Sequence, residues 1–333
     1  MKNLRNTAVV LAIAMVGVFV NVKQSFADGV KRVGIIGLDT SHSVKFADIV
    51  NVKKPDSCKG FEVTAAYKWG SKDIFSSTNR YPKYIEHMNK LGIRIYDDLD
   101  EMIRNVDFIL LETNDGREHL WQAEKVFKAG KPCYIDKPLA ASYKDAQKIC
   151  ELGKKYKAKW FTTSSLRYGQ TMRDAREGRY GKIIGAAMCS PGHFQPDNTH
   201  SDYYWYAIHG FEALMAIMGP GVEKVRTART DGVDIITGVW KDGRVGTMRA
   251  LTKGGLYIYG GYIIPEKPHN GSAFIPISSN PGYEPLVKEI MKFFSTLEVP
   301  VCNEESLEIF KFMEAAVISA RENGREVLIS EIR

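Results

Sequence analysis

The stretch Val33-Gly34-Ile35-Ile36-Gly37-Leu38-Asp39-Thr40-Ser41-His42 runs from a short apolar segment through a glycine into residues that favour a helix start. An apolar, β-branched run bounded by glycine reads as a buried strand. Asp, Thr and Ser are the side chains that cap a first helical turn. Strand, tight turn and helix in that order open a doubly wound α/β sheet, and the helix N-terminus at the turn is where such sheets hold a phosphate.

The same unit repeats downstream. Short apolar runs at 62–67, 93–96, 107–113, 133–136 and 159–163 alternate with helix-period segments at 43–52, 81–89, 99–105, 118–129 and 142–155. Gly130 sits where a helix C-cap glycine belongs. Ser142 starts the next helix as an N-cap, with Asp145 three residues on. The alternation predicts an α/β protein whose N-terminal domain, residues 28–163, is a Rossmann-like doubly wound parallel sheet.

After Arg167 the pattern changes. β-prone stretches at 183–188, 222–227, 233–240, 245–251 and 255–264 are joined by glycine turns such as Asp242-Gly243. Consecutive strands predict a mostly antiparallel open sheet in a C-terminal α+β domain, residues 164–333. A helix is expected at 207–218. Two more, at 283–297 and 304–323, are expected to pack back on the first domain.

Residues 1–27 have a basic start (Lys2, Arg5), an apolar stretch over 8–20 and small residues at Ser25-Phe26-Ala27. This is the layout of a cleaved secretory signal, and the stretch is shorter than the roughly 20 residues of a spanning helix. An exported, periplasmic or extracellular protein without a lasting membrane anchor is expected. Losing Lys2, Arg5 and Lys23 lowers the formal net charge from +7 to +4. The remaining basic residues are scattered, which argues against a nucleic-acid footprint. Five widely spaced cysteines without a C-x-x-C pair give no disulfide framework.

Aligned on G-x-G-x-x-G, the first turn keeps Gly37, but Asp39 takes the second glycine position and His42 the third. An Asp39 carboxylate facing a pyrophosphate within about 4 Å would cost on the order of 1–4 kcal/mol. The alternative is that it caps the helix, with Thr40 or Ser41. The second strand ends Ala65-Ala66-Tyr67-Lys68-Trp69, without the acid that usually takes the ribose hydroxyls. Lys68 either favours a 2′-phosphate or is a solvated surface residue.

The run Pro132-Cys133-Tyr134-Ile135-Asp136-Lys137-Pro138-Leu139-Ala140 places an amine before a proline at a strand's carboxyl end. Proline restricts the residue before it, so Lys137 is expected at a fixed angle in the crevice where open α/β sheets bind their ligands.

Three segments resemble the Gfo/Idh/MocA oxidoreductases: Val106-Asp107-Phe108-Ile109-Leu110-Leu111-Glu112-Thr113-Asn114 followed by His119, Phe127-Lys128-Ala129-Gly130-Lys131-Pro132, and Asp136-Lys137-Pro138. Ile208-His209-Gly210-Phe211-Glu212 is similar to that family's "H-x-x-D" helix, with Glu212 for the aspartate and Trp205 where an acidic residue usually precedes.

The resemblance implies a hydroxyl oxidoreductase using NAD or NADP, with Lys137 and His209 as catalytic residues. It implies cofactor contacts from Gly37, Leu38, Asp39, Thr40 and His42, from Thr113, Asn114 and His119, and from Asp136 and Lys137. Imidazole titrates near working pH, which suits the proton transfer that accompanies hydride removal.

Residues 191–206, Pro-Gly-His-Phe-Gln-Pro-Asp-Asn-Thr-His-Ser-Asp-Tyr-Tyr-Trp-Tyr, join aromatic and short polar side chains in a turn-rich stretch. Such a lining suits a carbohydrate. Substrate contacts are therefore expected from His193, Tyr204 and Trp205, and from Arg167, beside Lys137 and His209. A metal on His193, Asp197 and His200 is a weaker alternative, since no tight ligand spacing supports it.

The leading expectation is an exported enzyme acting on a sugar or cyclitol. Free NAD(P) is scarce outside the cytoplasm, so its cofactor is expected to be retained, as in the family's exported glucose-fructose oxidoreductase. A hydrolase or lyase that has lost the dinucleotide and acts on a keto-sugar is the second expectation, and a non-catalytic sugar-binding protein the third. An open second sheet makes a homo-oligomer plausible.

Overall fold

The computed structural model describes residues 29–194, 200, 202–254, 257–278 and 281–333. The segment read as a secretory signal lies outside them, and so does Asp197. Among the described residues no helix is long and apolar enough to cross a membrane.

The first sheet has six strands: β1 Lys31–Ile36, β2 Phe61–Tyr67, β3 Arg94–Tyr96, β4 Phe108–Leu111, β5 Cys133–Ile135 and β6 Trp160–Thr162. They lie in the order β3-β2-β1-β4-β5-β6, every pair parallel. Parallel strands covered on both faces must be apolar throughout, and all four residues of β4 are fully buried. The crossovers are α1 Ser41–Ala47, α2 Phe75–Lys90, α3 Leu99–Arg104, α4 His119–Lys128 and α5 Tyr143–Lys155.

From β1 the chain first builds the β2-β3 side and then returns to build β4-β5-β6. A crevice therefore opens at the carboxyl ends of β1 and β4. Gly37 makes that junction possible: its φ is +91°, and a Cβ there would lie 2.5 Å from the Thr113 Cα.

Two helices differ from the sequence expectation. α1 gives way to a wider π turn over Asp48–Lys53. α2 begins six residues earlier than the expected 81, with Pro82 inside it. Pro82 is exposed, so the carbonyl deprived of an amide partner faces water.

The second sheet is β7 Ile183–Pro191, β8 Val222–Arg229, β9 Val233–Trp240, β10 Val245–Leu251, β11 Gly260–Pro265, β12 Ile275–Ser278 and β13 Val327–Leu328. Its order is β12-β11-β7-β10-β9-β8-β13, antiparallel except for the β7–β10 pair. The remaining helices are α6 Gln170–Arg176, α7 Ile208–Met218, α8 Glu284–Thr296 and α9 Asn303–Arg321. α7 and α9 cover one face of this sheet, which is why α7 is buried along its whole length.

α8 packs on the first sheet, with the Phe294 ring 4.7 Å from that of Phe108 and Phe293 5.1 Å from Phe161. α9 reaches α5 as well as β8. The late helices thus join the two sheets and hold α7 over the crevice. All five cysteines are free thiols.

Candidate active site

Lys137 stands two residues beyond the end of β5, and its peptide bond to Pro138 is cis. Its ammonium lies 5.7 Å from the centre of the Tyr206 ring, a cation–π distance. Around it opens a cleft of about 570 Å³, within the usual range for a small-molecule site. The first turn of α1 (Thr40, Ser41, His42), Asn114 beyond β4, and Ser165 beyond β6 form one wall. His209 on α7 faces them.

The opening is aromatic. Tyr206, Tyr257, Tyr259 and Tyr283 line it, with Tyr206 and Tyr257 5.5 Å apart edge to face and Tyr259 5.4 Å from the His209 ring. Arg80 of α2 adds a second cation at the rim.

His209 is held from behind. Its Nδ1 is 2.7 Å from the Ser164 hydroxyl, and the Ser164 amide donates to Glu212, 2.7 Å away. Glu212 also accepts from the Thr163 hydroxyl and from Arg167 Nε. Burial, reinforced by the positive charge of Lys137, drives the His209 pKa well below the ordinary histidine value. The imidazole is therefore the neutral base at physiological pH.

Beneath Lys137, the Asp136 carboxylate lies 2.6 Å from His42 Nδ1 and accepts from the Tyr134 hydroxyl. Burial opposes its ionisation, but His42 and Lys137 outweigh burial and bring its pKa down to about 2. Glu112, at the end of β4, is fully buried, and neither carboxylate oxygen has a hydrogen-bond partner. Burial first, then the neighbouring Asp136, push its pKa well above the ordinary carboxylate value.

The structure brings Thr40, His42, Asn114, Lys137 and His209 of the expected residues to one cleft. It corrects several others. Asp39 neither lines the cleft nor caps α1. It is fully buried and accepts from the amides of Ser71 (2.9 Å) and Asn114 (3.0 Å), tying the loops after β1, β2 and β4 together. The cap is Thr40, whose hydroxyl accepts from His42 N. Burial raises the Asp39 pKa, opposed by those two amides.

Gly37 and Leu38 are interior, and Thr113 is buried with its hydroxyl on Gln122. His119 is fully buried and clamped between the carbonyls of Thr113 and Leu139, so it fixes the β4–β5 ends.

Arg167 is 3% exposed and ion-paired with Glu212 and Glu305, outside the cleft. Tyr204 is buried on Glu314, and Trp205 packs against His200. His193 is not itself in the cleft lining; it packs behind two residues that are, tilted against Tyr206 at 4.4 Å and edge to face with Tyr257 at 5.4 Å.

His200 Nε2 accepts from the Gly116 amide, so that ring nitrogen is unavailable to a metal shared with His193. Among the described residues, the side chains that converge closely enough for one ion are His42, Glu112 and Asp136. In the sequence Glu112 carries no signal beyond its place in the apolar run 107–113. The three tyrosines beyond Tyr206 come from segments with no motif, where the neighbouring Gly260 and Gly282 are the signals beside Tyr259 and Tyr283.

Asp39→Ala strips the acceptor from two buried amides. It is expected to destabilise by about 1–3 kcal/mol for each of them, read as a lower urea midpoint at unchanged slope. Asp39→Gly, which restores the motif glycine, is expected to lose as much. Asp39→Asn, which keeps an acceptor, should lose less.

The residues suit the nicotinamide end of a dinucleotide. The capped first turn of α1 offers amides, and Asn114 and Lys137 offer donors to ribose and amide oxygens, with Asp39 turned out of the way. The adenosine end differs more. Lys68 pairs with exposed Asp97, in keeping with a solvated surface role. Ser71 donates to Asp73 and Asp115, and Arg117 bridges both carboxylates, joining the loops after β2 and β4.

Residues 31–164 match the model of GFO_IDH_MocA, described as "Oxidoreductase family, NAD-binding Rossmann fold". No curated protein matches the chain significantly. Solved structures share its fold. One is scyllo-inositol dehydrogenase from Lactobacillus casei with bound NAD(H) and scyllo-inositol: TM-score 0.69, 15% identity, 90% of this chain and 99% of that one. Another is myo-inositol dehydrogenase from the same organism in complex with NAD(H) and myo-inositol: TM-score 0.67, 16% identity, 90% and 96% covered. A "probable dehydrogenase" from Thermotoga maritima gives TM-score 0.69 at 21% identity, with 91% and 100% covered.

Proposed function

Because residues 31–164 match the model of the Gfo/Idh/MocA oxidoreductases, described as having an NAD-binding Rossmann fold, we propose that the chain moves a hydride at a hydroxyl-bearing carbon of a sugar or cyclitol. The observation that carries this is the convergence of Lys137 and a buried, neutral His209 on one cleft. The Lys137 ammonium orients the reacting hydroxyl. His209 takes that hydroxyl's proton on the ring nitrogen not engaged by Ser164, which holds the imidazole in place. The nicotinamide, when bound, is the hydride acceptor. The tyrosines offer faces to the C–H side of a ring and hydroxyls to its edge.

The test is native mass spectrometry of the purified protein, followed by incubation with inositols and aldoses carrying deuterium on the carbinol carbons. Retained or added NAD(H) that acquires deuterium is the expected result. Failure to bind either NAD or NADP overturns the proposal. The tie between the β2 and β4 loops favours a second reading, a nucleotide-free lyase or hydrolase on a keto-sugar; turnover of a keto-sugar by nucleotide-free protein would establish it. The leader-like residues 1–27 support an exported protein with retained cofactor. Ile184, Val245 and Tyr262 are exposed apolar side chains on the second sheet, and support pairing of two copies through it, to be checked by light scattering.

A further inference from the structure

We propose that His42, Glu112 and Asp136 bind one divalent transition-metal cation, Mn²⁺ or Zn²⁺, in the floor of the cleft. One ligand atom from each lies within 4.8 Å of the others. The three come from different elements, which the sheet fixes independently: His42 from the first turn of α1, Glu112 from the end of β4 and Asp136 from the end of β5. The amide of Glu112 donates to Ile36 O and that of Asp136 to Leu111 O, so both carboxylates stand on extensions of the ladder.

Glu112 is the unexplained member. It is fully buried, and both oxygens lack any donor. A buried carboxylate without partners is strongly disfavoured, and a neutral carboxyl would need an acceptor for its own hydrogen. His42 and Lys137 both bear on Asp136, yet neither gives Glu112 a hydrogen bond. A dication shared with His42 and Asp136 satisfies the empty oxygens of Glu112.

The donor set selects the ion. Two carboxylates and an imidazole suit Mn²⁺ and Zn²⁺, whereas Mg²⁺ prefers an all-oxygen, largely hydrated shell. Metal–ligand bonds of about 2.0–2.2 Å hold neighbouring donor atoms about 3 Å apart. The cation would therefore take the place of the proton between His42 and Asp136, with a slight spreading of that contact. His42 alone of the three lines the cleft, so a water or a substrate oxygen would complete the coordination from the Lys137 side. This inference does not depend on hydride transfer.

The experiment is calorimetric titration of chelator-treated protein with Mn²⁺, Zn²⁺ and Mg²⁺ separately. One Mn²⁺ or Zn²⁺ per chain is expected, with Mg²⁺ at least tenfold weaker. Glu112→Gln should weaken binding at least tenfold, yet melt without metal at or above the wild-type temperature, because a partnerless carboxyl has gone. His87→Ala, a surface change, should bind as wild type. Anomalous diffraction from Mn²⁺-soaked wild-type crystals provides a test that needs no variant: a peak within bonding distance of Glu112 is expected. No saturable binding by wild type, wild-type affinity in Glu112→Gln, or a peak elsewhere overturns the proposal.

Discussion

Replacing His209 by alanine should lower kcat/KM by about a hundred- to ten-thousand-fold, the usual contribution of a positioned general base, while nucleotide binding measured by fluorescence stays within a few-fold. The separation is expected because His209 sits on α7, across the cleft from the α1 turn and Asn114. The pH profile gives an independent reading. Burial and Lys137 hold the imidazole pKa well below its ordinary value, so the acid limb of kcat/KM should fall below the ordinary histidine range of about 6.5.

The same shift has a stability consequence with a definite sign. An unfolded chain takes up this proton near pH 6.5 and the folded one only at lower pH. His209 therefore contributes stability above about pH 6.5 that is lost as the pH falls. His209→Asn should flatten that part of the stability curve. An acid limb at or above pH 6.5 in wild type, or near-normal turnover in the alanine variant, would remove His209 from the proposed mechanism.

The doubly wound sheet was legible because its strands are buried on both faces and read as apolar runs between helix-period segments. Lys137 and His209 were legible because each stands beside a local signature, a proline and an H-x-x-E helix. The residues misread share a different physics. Arg167 stands among the expected substrate contacts, but its partners Glu212 and Glu305 are 45 and 138 residues away. No local pattern announces such a pair.

Asp39 was read through the motif position it occupies, whereas its role is set by two amides from other loops. His119 was read along a cofactor edge, yet two carbonyls enclose it. In each case the sequence displays the chemical group, and the fold decides whether it meets solvent, ligand or a distant partner.

Glu212→Ala is expected to destabilise by about 3–5 kcal/mol, the cost of leaving one member of a buried ion pair without its partner, and to lower Tm by about 10 °C. Three groups lose their acceptor at once: the Ser164 amide, the Thr163 hydroxyl and Arg167 Nε. Burial disfavours the charge on Arg167, but Glu212 and Glu305 outweigh it and raise its pKa, so the guanidinium stays charged when Glu212 is removed. The stranded cation should therefore account for much of the loss.

Arg167→Met in the Glu212→Ala background tests that directly. The double variant should be more stable than Glu212→Ala alone, a non-additivity expected of residues sharing one network. Glu212→Gln keeps an acceptor for Ser164 N and should fall between wild type and Glu212→Ala in stability. Because Glu212 reaches the cleft only through Ser164 and His209, its turnover should fall through kcat with little change in KM. Additive losses in the double variant would mean that the hydrogen bonds to Thr163 and Ser164, rather than the ion pair, are what Glu212 chiefly provides.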